Sequence, residues 1–346
     1  MSAAPTIVTV FPSIQPAGVE CRSWGATELL RADIQRPDTL VDPFLAASTA
    51  AILAGPPNVG KSWLTLTLAL ALACGRDWLG HFPTTPSRVL VVDEESNPGH
   101  VQERLQMLAV GGTPIADDTQ LRFEIGHGQR VDDPHGYRCY RQWIEAHRPD
   151  VVIIDSMIRV HGADENSAGQ MADVFASVKG LMREFNTAVV FVDHSRKRSM
   201  VDNSPEEMLR GTIEKRAWAD SILYIAPADD GTMRVSHTKM RYGARLPDFR
   251  IRLNVDDGAA RVVYDGEAVD RGAATLTVVH SALLAVREAL GPDATDVSSV
   301  AAQVGCAEKT ARKHLKALVA GGQIAPRNVP SHGGRPRIVF DSASNA

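Results

Sequence analysis

A chain of 346 residues is long enough for about two domains, one of which can bury a large core. Its 44% hydrophobic and 23% charged residues describe an ordinary folded protein, and no apolar stretch approaches the ~18 residues of a membrane span. The N-terminus lacks the basic region of a signal peptide, so a cytoplasmic protein without a membrane partner is expected. Charge is uneven: the net charge is −4, yet residues 275–346 hold eight Lys/Arg against five Asp/Glu. An acidic body with a basic tail points toward nucleic acid. Cys21, Cys74, Cys139 and Cys306 lie scattered without Cys-x-x-Cys or Cys/His spacing, which suggests neither a zinc site nor a disulfide framework.

In chain order, a short helix is expected at Ala26–Ala32 within an N-terminal arm of residues 1–40. Ala47–Ala54 then reads as a buried strand and Trp63–Ala73 as an apolar helix. Strands follow at Val89–Asp93, Leu121–Ile125, Val151–Asp155, Ala188–Asp193 and Ser221–Ile225, with helical spacing between them at His100–Val110, Tyr137–His147 and Ala168–Phe185. Most of these strand runs are continuously apolar rather than alternating, so both faces are covered and the sheet is mostly parallel. Thr232–Thr238, Phe249–Val255 and Ala260–Asp265 alternate and are separated by Asp/Gly turns, which predicts antiparallel strands extending that sheet. A Gly/Ala-rich link at Asp270–Ala274 marks a domain boundary.

Between the first strand and its helix lies Gly55-Pro56-Pro57-Asn58-Val59-Gly60-Lys61-Ser62, followed by Trp63, which fits G-x-x-x-x-G-K-[ST] at every fixed position. The glycines let backbone N–H groups close around a phosphate, Lys61 reaches the β- and γ-phosphates, and the Ser62 hydroxyl ligates Mg²⁺. ATP and Mg²⁺ are the expected ligands. Asp155 ends the strand VVIID, the position from which a carboxylate holds the Mg²⁺ water shell. Asp93, Glu94 and Glu95 end the strand VLVVD, and a carboxylate there can orient or deprotonate the attacking water. Periodicity does not choose among the three.

This order of motifs, closed by the strand VVFVDHSRK, resembles the RecA-like hexameric ATPases, in particular plasmid RepA-type replicative helicases. The resemblance covers roughly residues 25–255. It implies an α/β RecA-like P-loop core at 41–270, an AAA-type ATPase and DNA helicase that assembles as a hexameric ring. Glu95-Ser96-Asn97-Pro98 followed by Arg104-Leu105 matches that family's spacing, making Glu95 the implied base and His194 the implied sensor of the γ-phosphate. Lys239-Met240-Arg241-Tyr242-Gly243 resembles the K-x-R-x-G segment of DnaB-type hexamers, implying that Lys239 and Arg241 reach the neighbouring subunit's ATP. Arg196, Lys197 and Arg198, after the sensor strand, are the implied contacts to single-stranded DNA in a central channel. The more acidic Ala163–Gly169 is a second candidate channel loop.

Residues 275–346 read as a winged helix-turn-helix: helices at Val278–Leu290, Val297–Val304 and Ala307–Ala320, then paired strands at Ile324–Pro326 and Arg337–Phe340 with Ser331–Arg335 at the wing tip. Lys309, Arg312, Lys313 and Lys316 point outward from the third helix, and with Arg327, Arg335 and Arg337 they form a candidate duplex-binding surface. Winged helices also serve as protein-docking modules, and that alternative stays open. For the whole chain the alternative to a helicase is a DNA-binding regulatory, loader, recombination or defence ATPase that does not unwind.

Overall fold

In the computed structural model, residues 23–34, 37–195, 213–228, 230–268, 280–288, 295–304, 308–330 and 337–342 are described, with residues 291 and 293. The chain divides into two compact units, Met1–Glu267 and Ala268–Ala346. The first opens with helix α1 (Ala26–Arg31) and the small hairpin β1 (Thr39–Val41) and β2 (Leu45–Ala46). Leu40 and Val41 are buried, so the core takes in the last residue of the stretch read as an arm.

Its main sheet has nine strands in the order β11-β10-β9-β8-β3-β7-β6-β4-β5. Six are parallel: β3 (Ala50–Gly55), β4 (Val89–Asp93), β5 (Leu121–Ile125), β6 (Val151–Asp155), β7 (Ala188–His194) and β8 (Ser221–Pro227). The remaining β9 (Met233–Met240), β10 (Phe249–Asp256) and β11 (Ala259–Glu267) add on antiparallel, as the alternating pattern predicts. Alternate side chains serve two cores. Leu53, Val91, Ile153 and Val190 pack with helices α2 (Lys61–Cys74) and α3 (Pro98–Val110), while Ile52, Val92, Ile154 and Phe191 pack with α4 (Pro134–His147) and α5 (Ala168–Phe185). Continuous apolar strands are therefore the signature of this double covering.

Several elements differ from the sequence reading at their ends, because capping residues decide where a helix starts. Asn97 and Asp133 accept backbone N–H groups ahead of a proline, and so start α3 and α4 two and three residues before the expected positions. The helix α6 (Ile213–Trp218) was not expected: it is six residues long and directly precedes a strand.

In the second unit, a helix α7 (described at 280–288), α8 (Val297–Val304) and α9 (Glu308–Ala320) pack through Leu283, Val300, Leu315 and Leu318. The strands β12 (Ile324–Val329) and β13 (Arg337–Ser342) pair antiparallel over six positions. The Asp270–Ala274 link, the Ser331–Arg335 tip, and the side chains of Arg196, Lys197, Arg198, Lys309 and Arg335 lie outside the described residues.

Candidate nucleotide site

Parallel strands all point their C-terminal ends the same way, so the loops following β3, β4, β6 and β7 meet at one edge of the sheet. Register brings Asp93 beside Asp155, and Gly55 beside His194. The loop from Gly55 to Ser62 leaves β3 here and enters α2. Gly55 has no room for a side chain, since a Cβ would stand 2.7 Å from the Ile225 carbonyl oxygen. Gly60 has φ +92° and begins α2 without a side-chain cap, so the first N–H groups of that helix remain available for an anion.

Lys61 is 6% exposed and donates from Nζ to the carbonyl oxygens of Gly55 (3.0 Å) and Pro56 (2.9 Å). It also contacts His194 Nδ1 at 3.3 Å. Because an ammonium only donates, Nδ1 must accept, which leaves the ring hydrogen on Nε2. That nitrogen lies 3.0 Å from Glu95 Oε1 and donates to it. The result is a connected line from Lys61 through His194 to Glu95.

The three carboxylates that end and follow β4, which periodicity does not tell apart, now separate. Asp93 is buried and accepts the N–H groups of Glu95 and Ser96. Glu94 turns away to accept from Gly128 N (2.8 Å) and Gln129 N (3.4 Å). Of the three, only Glu95 lines the cleft, a cavity of about 700 Å³ that also contains Lys61, Ser62, Asp155 and His194.

On the far side of Lys61, Ser62 Oγ donates to Asp155 Oδ2 at 3.3 Å. Asp155 is 3% exposed, and its Oδ1 has no hydrogen-bond partner among the described residues. An orphaned buried carboxylate oxygen beside a serine hydroxyl suits a hard cation that prefers oxygen ligands, so the residues fit Mg²⁺. Burial, and then the charges of Asp93 and Glu95, pushes the Asp155 carboxyl up to about 7, against the opposing pull of Lys61 and the Ser62 hydrogen bond.

The native chain thus keeps a proton on Asp155 that the unfolded chain releases near pH 4. Stability from this residue falls as pH rises from about 4 to about 7 and then levels off. Between about pH 5 and 7.5 the melting temperature of the nucleotide-free chain is expected to drop by about 5 °C or more relative to Asp155→Asn, measured by calorimetry. Parallel profiles for the two proteins would contradict the assignment. Adding ATP and Mg²⁺ should remove the decline.

The outer cleft wall was not legible locally. Met233 of β9 and Leu253 of β10 line it, opposite Trp63 and Arg104, whose guanidinium lies 6.0 Å from the Trp63 ring centroid. No sequence signal marks Met233 or Leu253, since they arrive from the antiparallel extension more than 150 residues later. Of the remaining loop residues, Pro57, Asn58 and Val59 line the cleft.

Lys239 and Arg241 lie elsewhere. Met240 pairs with Ser221, which pairs with Ala51, so both cations sit at the end of the sheet where β3 begins, away from their own phosphate loop. Lys239 Nζ donates to the carbonyl oxygens of Arg216 and Ala217. Arg241 donates to Asp220 Oδ1 (2.7 Å) and to the Ala217 carbonyl (2.6 Å). Both therefore cap the C-terminal end of α6.

In the second unit, Arg312, Lys313 and Lys316 are exposed on α9 while Ala311, Leu315 and Leu318 are buried. Arg327 pairs with Asp341 (2.7 Å) and Asp293 (2.9 Å), and Arg337 with Asp296 (3.1 Å). Carboxylates that sequence counting treats as a uniform background thus offset the two described wing arginines and concentrate positive charge on the helix.

Comparison with known proteins agrees with this geometry. A family model, AAA_25, described as an AAA domain, matches residues 19–200. The chain is 22% identical over 208 residues to the DNA repair and recombination protein RadB of Methanobrevibacter smithii, covering 58% of this chain and 83% of that protein. It is 24% identical over 230 residues to a "probable plasmid replicative DNA helicase" of Chlamydia trachomatis, covering 58% of this chain and 48% of the helicase, so the chain spans about half that relative's length. With a phosphate loop, a buried acid and a mostly parallel sheet in RecA-like order, and a match over more than half its length, the chain belongs to the AAA_25 family of AAA domains.

Proposed function

We propose that the chain is a Mg²⁺-dependent ATPase that works on DNA as a ring, most simply a hexamer, in the manner of a plasmid- or phage-type replicative helicase. The observation that carries this is the line from Lys61 through His194 to Glu95 beside the Ser62–Asp155 pair. When ATP enters, Lys61 exchanges the Gly55 and Pro56 carbonyls for phosphate oxygens. Glu95 orients a water and takes its proton as the water attacks the γ-phosphorus and the bond from that phosphorus to the β-phosphate oxygen breaks, releasing ADP and phosphate. His194, bonded to both, registers whether Lys61 is engaged. Ser62 and Asp155 would hold the Mg²⁺, which would supply positive charge against the phosphates.

Lys239 and Arg241, remote from their own cleft, act on a neighbour's ATP, which makes hydrolysis a property of the assembly. DNA passes Arg196, Lys197 and Arg198, and the domain at 275–346, with Lys309, Arg312, Lys313, Lys316, Arg327, Arg335 and Arg337, holds duplex. A second reading, a recombination or loader ATPase that does not unwind, is favoured by one observation: the similarity spans 83% of RadB but 48% of the helicase. Strand displacement separates the two. ATP-dependent unwinding of a forked duplex, with hydrolysis stimulated by single-stranded DNA and a ring-sized mass in solution, is expected. Stimulated hydrolysis without displacement would select the second reading.

Deleting residues 275–346 removes none of the cleft residues and should leave basal hydrolysis within about twofold. Duplex affinity should weaken. Its salt dependence should also become shallower, each lost phosphate contact removing about 0.9 from the log–log slope. Unchanged affinity and slope would favour a protein-docking module.

A further inference from the structure

Lys215 has no place in the site as described so far, yet its side chain is fully buried, with 0% exposure. It projects from α6 and donates to Asp193 Oδ2 (2.9 Å) and Glu165 Oε1 (2.5 Å). Asp193 is itself 1% exposed, and its other oxygen accepts the backbone N–H of His194 at 2.9 Å. Glu165 belongs to the loop between β6 and α5, which is also anchored by Gly162 N donating to Asp132. His161 of that loop is buried, with neither ring nitrogen hydrogen-bonded among the described residues, so it contributes no polar tie of its own. An ammonium taken wholly out of water and shared by two carboxylates is costly to build and costly to break, and packing alone would use an apolar residue there.

The other end of α6 is equally fixed. Its last carbonyls are held by Lys239 and Arg241. A helix of six residues, about 9 Å long, is too short to bend and too short to persist alone. It transmits position between its two attachments. We propose that Lys215 is a positioning residue that, through Asp193, sets His194 against Lys61 and Glu95, and through α6 ties that histidine to the Lys239–Arg241 end of the sheet. This rests on the ATPase reading above. In a ring, it connects each subunit's own cleft to the cations that the subunit presents to its neighbour.

The test separates positioning from charge balance. Lys215→Met alone leaves Asp193 and Glu165 without their shared cation and is expected to destabilise the fold. The triple variant Glu165→Gln, Asp193→Asn, Lys215→Met is neutral and nearly isosteric, and the amide oxygen that Asp193→Asn introduces still accepts the His194 N–H. Its melting temperature should recover toward that of the unaltered protein, and KM for ATP should stay within about threefold, while kcat remains about tenfold or more lower. The His194 ring nitrogens, assigned in ¹⁵N-histidine spectra by comparison with His194→Asn, should shift in the same variant.

Recovered kcat together with unshifted ring nitrogens would mean that the lysine only balances charge, and would overturn the proposal. If the unaltered protein hydrolyses no ATP, the ATPase reading falls, and the ring-nitrogen comparison still decides for Lys215. Should the triple variant not fold, Asp193→Asn alone carries both readouts, because it keeps the acceptor for His194 and loses the Lys215–Asp193 ion pair, while Lys215 keeps Glu165 as its counter-ion.

Discussion

A Glu95→Gln protein is expected to bind ATP within about threefold of the unaltered chain and to turn it over about 10²–10⁴-fold more slowly. Glutamine preserves shape and accepts the same hydrogen bond from His194 Nε2 through its amide oxygen, but it cannot take a proton from water. Lys61→Ala is expected to behave in the opposite way, losing nucleotide affinity because no ammonium then faces the β- and γ-phosphates. Measured together by nucleotide titration and phosphate release, the two variants separate binding from chemistry. Normal turnover in Glu95→Gln would exclude Glu95 as the base. Glu94 would come next, although the N–H groups of Gly128 and Gln129 already occupy its carboxylate.

Arg241→Ala is expected to leave nucleotide affinity nearly intact and to lower turnover about 10³-fold or more, the scale of a lost arginine finger, since such a cation acts on the transition state rather than on bound substrate. Its position makes the prediction sharp. At the end of the sheet where β3 begins, tied to Asp220, it cannot reach its own phosphate loop. Capping α6 offers a different explanation for a loss of activity, so a single variant does not decide. Mixing does: Arg241→Ala subunits have intact clefts and Glu95→Gln subunits have intact arginines, so if the proposed ring forms, mixed assemblies are expected to regain hydrolysis where one of each meets. If mixed assembly is verified by mass and no activity returns, Arg241 serves its own α6 instead of a neighbour.

Much of the fold was legible because parallel strands buried on both faces must be apolar at every position. The runs Val89–Asp93 and Val151–Asp155 coincide with strands at both ends; Leu121–Ile125 does too, although Arg122 and Glu124 make it an alternating strand at the sheet edge, and Ala168–Phe185 coincides with a helix. Helix starts were less legible where a cap such as Asn97 or Asp133, rather than hydrophobic period, sets the boundary. The short α6 escaped altogether. Six residues give less than two turns of periodicity, and its one buried cation looks in sequence like any surface lysine.

By itself the sequence determined the phosphate loop, the acid ending the VVIID strand and the alternation of strands with helices, because each is a local pattern imposed by backbone geometry or by burial. Residue pattern left Asp93, Glu94 and Glu95 open and a family resemblance alone pointed to Glu95; which of them faces the cleft is decided by the tertiary structure, since it depends on whose N–H groups each carboxylate finds. It also decided that His194 lies between Lys61 and Glu95, that Met233 and Leu253 close the wall, and that Asp293, Asp296 and Asp341 pair with the wing arginines. These relations join residues far apart in the chain, and their free energies depend on distance and burial, which no local pattern encodes.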